Sequence, residues 1–298
     1  MPLAISDEQQ RQFDDDGFFL IENALSPDEI DRLLEATDAL DTYYRKKQNV
    51  GPEQAFQVRN ALAQHDEFFR LIDHRITLPL VVDVIGVNIQ IRTSHMDVRP
   101  PMPEKYGNQP LGVKGGFFPW HSDGPNFGYP VTNGAMPFME VKVGYSLTDL
   151  TEHNSGAICV VKGSHKLSPE LIQNPDYIVE PDDILEVNVK PGTAMIWRTA
   201  LWHCLAPNLS DHTRKCLYYG YHHRWIRPSD YMHQPKELLQ RCTPIQRQLL
   251  GELGSGDLNY QGDDPAHPAN RFWRPEEGDL PLETWKTEQE ALRSVPAS

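Results

Sequence analysis

Basic residues are scarce in this 298-residue chain: 28 Lys and Arg stand against 42 Asp and Glu, a net charge of −14 with histidine neutral. A surface that acidic repels phosphate backbones and anionic headgroups, which argues against a nucleic-acid or membrane partner. Long apolar runs are missing as well. Nothing approaches the roughly 18 consecutive apolar residues of a membrane-spanning helix. The N-terminus has no basic stretch followed by an apolar core, so no secretory signal is read and cytoplasmic residence is expected. Cysteine is sparse: Cys159, Cys204, Cys216 and Cys242 show neither C-x-x-C spacing nor a dense framework. Buried free thiols are therefore expected rather than disulfides.

What is present has the proportions of a globular protein, 39% hydrophobic and 23% charged. The length suits one large domain or two small ones. We read one, with a mainly helical part over 1–85, a β-rich core over 86–228 and an irregular, partly helical extension over 229–298. Asp7 to Asp15 reads as a helix ending near Gly17, and Phe18 to Ile21 as a short buried strand. Ser26-Pro27-Asp28-Glu29 has the form of a helix start, with Ser26 as cap, Pro27 in the first turn and Glu29 closing a capping box. Ile30, Leu33, Leu34 and Leu40 continue an apolar face at helical spacing. A further helical part is expected from Phe56 to Val84.

After Gly86 the period changes. Asn88 to His95 alternates as a strand does, and Pro100, Pro101, Pro103, Gly107, Gly115 and Gly116 mark a long loop of the kind that often carries function. From Glu140 onward short β-like runs recur, separated by turn signals such as Asn154-Ser155-Gly156 and Pro191-Gly192. Many short strands behind a helical segment predict a mainly β fold with flanking helices, a jelly roll. No internal repeat suggests a solenoid or propeller.

The stretch Phe117-Phe118-Pro119-Trp120-His121-Ser122-Asp123-Gly124-Pro125 can hold a metal. Residues two apart on an extended strand share a face, so His121 and Asp123 would present an imidazole and a carboxylate side by side. His203, in Leu201-Trp202-His203-Cys204, offers a third ligand. Two His and one carboxylate on one side of an ion form the facial triad of non-haem Fe(II) oxygenases. The pair alone is weak, since about two His-x-acid pairs arise by chance in such a composition. His65/Glu67 sits in a helix-like run, where i and i+2 diverge, whereas His95/Asp97 on a strand is a genuine rival. Arg214 separates the possibilities: it follows His203 by eleven residues, and no other histidine has an arginine at that offset. A lone His203 or a lone Arg214 would ordinarily be structural.

Taken together these pieces resemble the phytanoyl-CoA dioxygenase-like family of Fe(II)/2-oxoglutarate oxygenases. The matching motifs are Gln12-Phe13-Asp14-Asp15-Asp16-Gly17-Phe18, Trp120-His121-Ser122-Asp123, Asn154-Ser155-Gly156, Gly163-Ser164-His165-Lys166, and Trp202-His203 through Pro207-Asn208-Leu209-Ser210 to Arg214. They cover roughly residues 8 to 225 in the family's order. The resemblance implies a double-stranded β-helix, iron bound by His121, Asp123 and His203, and the far carboxylate of 2-oxoglutarate bound by Arg214. It implies O₂ as second cosubstrate, with succinate and CO₂ released as a small organic molecule is hydroxylated. Asp123 argues against halogenation, which typically dispenses with the carboxylate ligand, while desaturation, epimerisation and ring formation use the same iron site and stay open.

Thr93 and Arg99, with His95, lie on the strand before the loop and are placed against cosubstrate or substrate. Phe127 and Trp120, with Phe117 and Tyr129, would form an apolar wall; Tyr145 and Trp225 are weaker additions. Gly163-Ser164-His165 is expected to be a turn. His222-His223 can turn only one ring inward, and neither is counted as a ligand. Two other readings stay open: a cupin-like metalloenzyme without 2-oxoglutarate, and a non-catalytic jelly-roll binding protein. The fold sets neither substrate nor oligomeric state.

Overall fold

A computed structural model describes residues 2–112, 119–123, 137–174, 177, 179–252 and 280–294. Two antiparallel sheets face one another. The strands are β1 (Phe18–Ile21), β2 (Phe56–Arg59), β3 (Ile89–Arg99), β4 (Glu140–Ser146), β5 (Ile158–Val161), β6 (Ile184–Glu186), β7 (Ala194–Arg198), β8 (His203–Leu205) and β9 (Arg214–His223). The larger sheet runs β1-β7-β4-β9-β3-β2 and the smaller β6-β5-β8. The expected mainly β fold with flanking helices, a jelly roll, is observed.

Alternation along the strands sorts the side chains into two layers. Val141, Val143 and Tyr145 of β4, with Leu217, Tyr219 and Tyr221 of β9, face the helices and are fully buried. Their neighbours Cys216 and Tyr218 face the smaller sheet, where they meet Val160, Met195, Trp197 and Leu201. A buried phenol needs a partner for its hydroxyl. Tyr219 donates to Phe68 O at 2.8 Å and Tyr221 to Ile72 O at 2.9 Å, while Tyr145 pairs with Thr77 Oγ1 at 2.6 Å. These bonds fix the helical layer on the sheet that carries the site.

The helical layer begins with α1 (Asp7–Asp15) and α2 (Pro27–Gln48), each opened by a complete capping box, Ser6/Gln9 and Ser26/Glu29. The region from Phe56 departs from its expected helical character. Phe56–Arg59 is an edge strand, pairing antiparallel with β3 so that Arg59 lies opposite His95. Its Phe-Gln-Val-Arg alternation buries Phe56 and Val58 and exposes Gln57 and Arg59. Helix follows only in α3 (Asp66–Phe69) and α4 (Thr77–Ile85). Beyond β9, α5 (Pro244–Leu249) is stitched to the start of β3: Gln248 Nε2 donates to Val87 O at 2.8 Å, and its Oε1 accepts from Leu282 N at 3.0 Å.

Candidate metal centre

β8 places His203 inside the barrel by the same alternation. His203 lies opposite Val160 and faces inward, whereas Cys204 lies opposite Cys159 in an apolar cluster on the outer side. Residues 119–123 continue the small sheet beyond β8. His121 N donates to His203 O at 3.0 Å and His203 N to His121 O at 2.9 Å. Such a directly opposed pair brings side chains together, and the two imidazole centroids lie 4.2 Å apart. Asp123, two residues on, joins them. One donor atom from each of His121, Asp123 and His203 lies within 4.8 Å of the others, the one such His/Cys/Asp/Glu group found among the described residues. His95/Asp97 forms no such group.

Backbone carbonyls fix which nitrogen each imidazole offers. His121 Nδ1 donates to Pro119 O at 3.2 Å and His203 Nδ1 to Leu201 O at 2.8 Å, leaving both Nε2 atoms for the centre. His203 Nε2 then faces Asp123 Oδ2 at 3.1 Å. With Nδ1 committed, that approach calls for either a second proton on the ring or a cation between the two atoms. This donor set fits Fe(II). Burial first, then His203, pushes His121 down towards about 4. Its ring keeps an open edge to solvent and is neutral near pH 7. Burial works against a charge on Asp123, but Lys142 and then His203 hold its carboxyl well below the usual range. Lys142 Nζ stands 2.5 Å from Asp123 Oδ2.

A cavity of about 140 Å³ opens beside these residues, lined on the large sheet by Gln57, Arg59, His95, Asp97, Arg99, Lys142, Trp197 and Tyr218. Asp97, 2% exposed, binds Arg99 Nε through both oxygens at 3.1 Å and Arg214 Nη1 at 3.1 Å. Burial opposes its charge, and Arg99 and Arg214 more than offset that, holding it below the ordinary carboxylate value. Arg214 is fully buried and donates through Nη2 to Tyr218 OH, and its Nε has no partner among the described residues. It borders a smaller void of about 30 Å³ that shares Tyr218 and Ile158 with the first. A cluster of buried cations, one with an orphaned N–H, fits a dicarboxylate cosubstrate. Gly156 makes room for this arginine: its φ is +83° and a Cβ there would meet Arg214 Cδ at 2.9 Å.

The remaining expectations divide. Arg99 lines the cavity. Trp120 does not, because alternation sends it to the opposite face from His121, where it packs with Cys159, Cys204 and Ala206. Thr93 does not either: its hydroxyl donates to Asp230 Oδ2 at 2.6 Å, beside Ser94 N at 2.9 Å. Phe127, with Phe117 and Tyr129, lies outside the described residues. Tyr145 is in the helix-side core and Trp225 stacks on His223 at 4.2 Å. His165 follows the expected turn, a short 3-10 helix, and its Nε2 meets Asp14 O at 3.2 Å. Sequence reading missed Gln57, Arg59, Asp97's role, Lys142 and Tyr218. The signal for Lys142 and Tyr218 was strand alternation, since each shares a sheet face with a residue already singled out.

Two-His-one-carboxylate residues inside a jelly roll define the class. A profile of the phytanoyl-CoA dioxygenase family matches residues 13–216, and the chain belongs to that family. It is 29% identical over 107 residues to the dioxygenase cdmD of Talaromyces verruculosus, covering 36% of this chain and 34% of that one. It is 25% identical over 240 residues to a probable alpha-ketoglutarate-dependent hypophosphite dioxygenase of Stutzerimonas stutzeri, covering 72% and 77%. The chain thus spans about a third of the first relative and three quarters of the second. Among solved structures, HygX from Streptomyces hygroscopicus with nickel and 2-oxoglutarate bound shares the fold at a TM-score of 0.55 and 16% identity, covering 77% of this chain and 90% of that one. No helix among the described residues is long and apolar enough to cross a membrane.

Proposed function

We propose that this protein is an Fe(II)- and 2-oxoglutarate-dependent dioxygenase that hydroxylates an unactivated C–H bond of a small organic molecule, releasing succinate and CO₂. The observation that carries the reading is the convergence of His121, Asp123 and His203 on one point inside a cation-lined cavity. Membership of the family and the dioxygenase relatives support it.

His121 and His203 would hold Fe(II) through Nε2 and Asp123 through its carboxylate. Held there with 2-oxoglutarate, the ion would supply the activation of O₂. The chain's own residues do the rest. Pro119 O and Leu201 O hold the two imidazoles in the ligating tautomer. Lys142 keeps Asp123 ionised. Arg214, steadied by Asp97 and Tyr218, would take the distal carboxylate of 2-oxoglutarate, with Arg99 adding positive charge nearby. Trp197 and Ile158 close the cavity with apolar surface.

One observation favours a second reading, a metalloenzyme that does not use 2-oxoglutarate: Arg214 already has a carboxylate partner in Asp97. One assay decides. Anaerobically purified protein with Fe(II), 2-oxoglutarate, ascorbate and O₂ should form succinate, abolished by Asp123→Ala and weakened by Arg214→Ala. An anaerobic titration that gives no Fe(II)–2-oxoglutarate charge-transfer band would sink the proposal.

A further inference from the structure

We infer that the molecule oxidised here is an anion whose acid group binds Arg59 at the mouth of the cavity. The inference rests on the oxygenase reading and adds to it the chemical class of the substrate.

Arg59 ends an edge strand, and alternation sends it and Gln57 to the cavity while Phe56 and Val58 join the helix-side core. Its contacts there are neutral. Nη1 lies 3.4 Å from His95 Nδ1 and Nη2 donates to Gln57 Oε1 at 3.2 Å. His95 cannot take up the charge: burial first, then Lys142 and Arg59, press its pKa down to about 3. Among the described residues no carboxylate pairs with Arg59. The other cations are different. Arg99 and Arg214 share Asp97, and Lys142 has Asp123.

The charges decide the matter. Among the described residues, Arg59, Arg99, Arg214 and Lys142 face only Asp97 and Asp123, an excess of two positive charges. A divalent ion at the triad would add two more, and a dianionic cosubstrate would remove two. Counted over those residues, the loaded site still carries two uncompensated positive charges. A neutral substrate would leave the excess standing in a confined volume, where charges are poorly screened. A carboxylate or sulfate ester would remove one of the two charges and a phosphate up to both, and the guanidinium fork suits any of the three. Because Arg59 is exposed while His203 is buried, the acid would sit outermost and the reacting carbon inward.

The test uses matched pairs of probes, hexanoate with hexanamide and 3-phenylpropanoate with 3-phenylpropanamide. Each is titrated into the full-length protein by calorimetry, with Fe(II) and 2-oxoglutarate under argon and again without them. The acids should bind at least tenfold more tightly than their amides. Arg59→Gln should lower acid affinity tenfold or more and erase the preference, and Arg59→Lys should restore part of it. The charge-transfer band, recorded in the same samples, reports separately on the oxygenase reading, and circular dichroism reports on folding. Equal binding of acids and amides, no acid binding up to ~10 mM, or an acid preference unchanged in Arg59→Gln would each overturn the inference. A missing band with the acid preference intact would instead overturn the oxygenase reading alone.

Discussion

Lys142 Nζ lies 2.5 Å from Asp123 Oδ2, so β4 of the large sheet is tied to the triad on the far side of the barrel by one ion pair. The lysine side chain is 7% exposed and the aspartate 24%. Breaking a buried pair by removing one partner is costly because the other charge is stranded.

Lys142→Met should therefore destabilise the metal-free protein at pH 7 by about 1–2 kcal/mol, the partial exposure of Asp123 keeping the loss below that of a fully buried pair. The same change should tighten metal binding severalfold, because the lysine and the ion compete for one oxygen. Co(II) titration followed by its visible absorption checks the second point. Weaker Co(II) binding would mean that Lys142 acts by positioning Asp123.

Arg214→Lys keeps a charge at the fully buried position and loses the fork that meets Asp97 and Tyr218 at once. Its expected effect is on the cosubstrate: the dissociation constant for 2-oxoglutarate should rise at least tenfold, about 1.4 kcal/mol. Co(II) affinity should stay within about twofold. Titrating the charge-transfer band in both proteins reads the first quantity, and the visible absorption of Co(II) reads the second. An unchanged 2-oxoglutarate affinity would remove Arg214 from the cosubstrate site.

Asp230 accepts from Thr93 Oγ1 at 2.6 Å and Ser94 N at 2.9 Å, pinning the segment after β9 onto β3. Asp230→Ala leaves those donors unmatched and should cost about 1–3 kcal/mol. Amides near Ser94 should exchange faster, with metal affinity unaltered. A loss of 2-oxoglutarate binding in this variant, with stability retained, would return Thr93 to the cosubstrate site.

His222 is fully buried and neither ring nitrogen has a partner among the described residues. Burial first, then Arg92 and His223, presses its pKa down to about 3. The unfolded chain takes up a proton near pH 6.5 that the folded protein refuses, so stability falls as pH drops from about 6.5 towards 3. The slope is at most about 1.4 kcal/mol per pH unit. His222→Leu should hold or raise stability at pH 7 and flatten that decline. Thermal unfolding in chelator at a series of pH values would show it, and an unchanged slope would place the acid sensitivity elsewhere.

Legibility in the sequence followed the range of the forces involved. The capping box at Ser26 and the alternation of β3 are local, and both were readable. Phe56–Arg59 was read as helical because four residues of alternation are too few to outweigh the helical run behind them. Trp120 was drawn to the pocket by its adjacency to His121, although the period of two that pairs His121 with Asp123 sends Trp120 the other way. The Asp97–Arg214 pair joins positions 117 apart in sequence, and Thr93–Asp230 joins positions 137 apart. No local pattern announces such partners. They follow only once the strand order β4-β9-β3-β2 is known.

His121 and His203 exchange both of their backbone hydrogen bonds. Their spacing is thus set by main chain, and only their aim by side chains. An ion captured between them would act as a rivet, closing a seam between distant parts of the chain after the small sheet has formed. Metal loading would then leave a mark away from the reaction itself: the amide hydrogens of His121 and His203 would become the slowest to exchange along that edge.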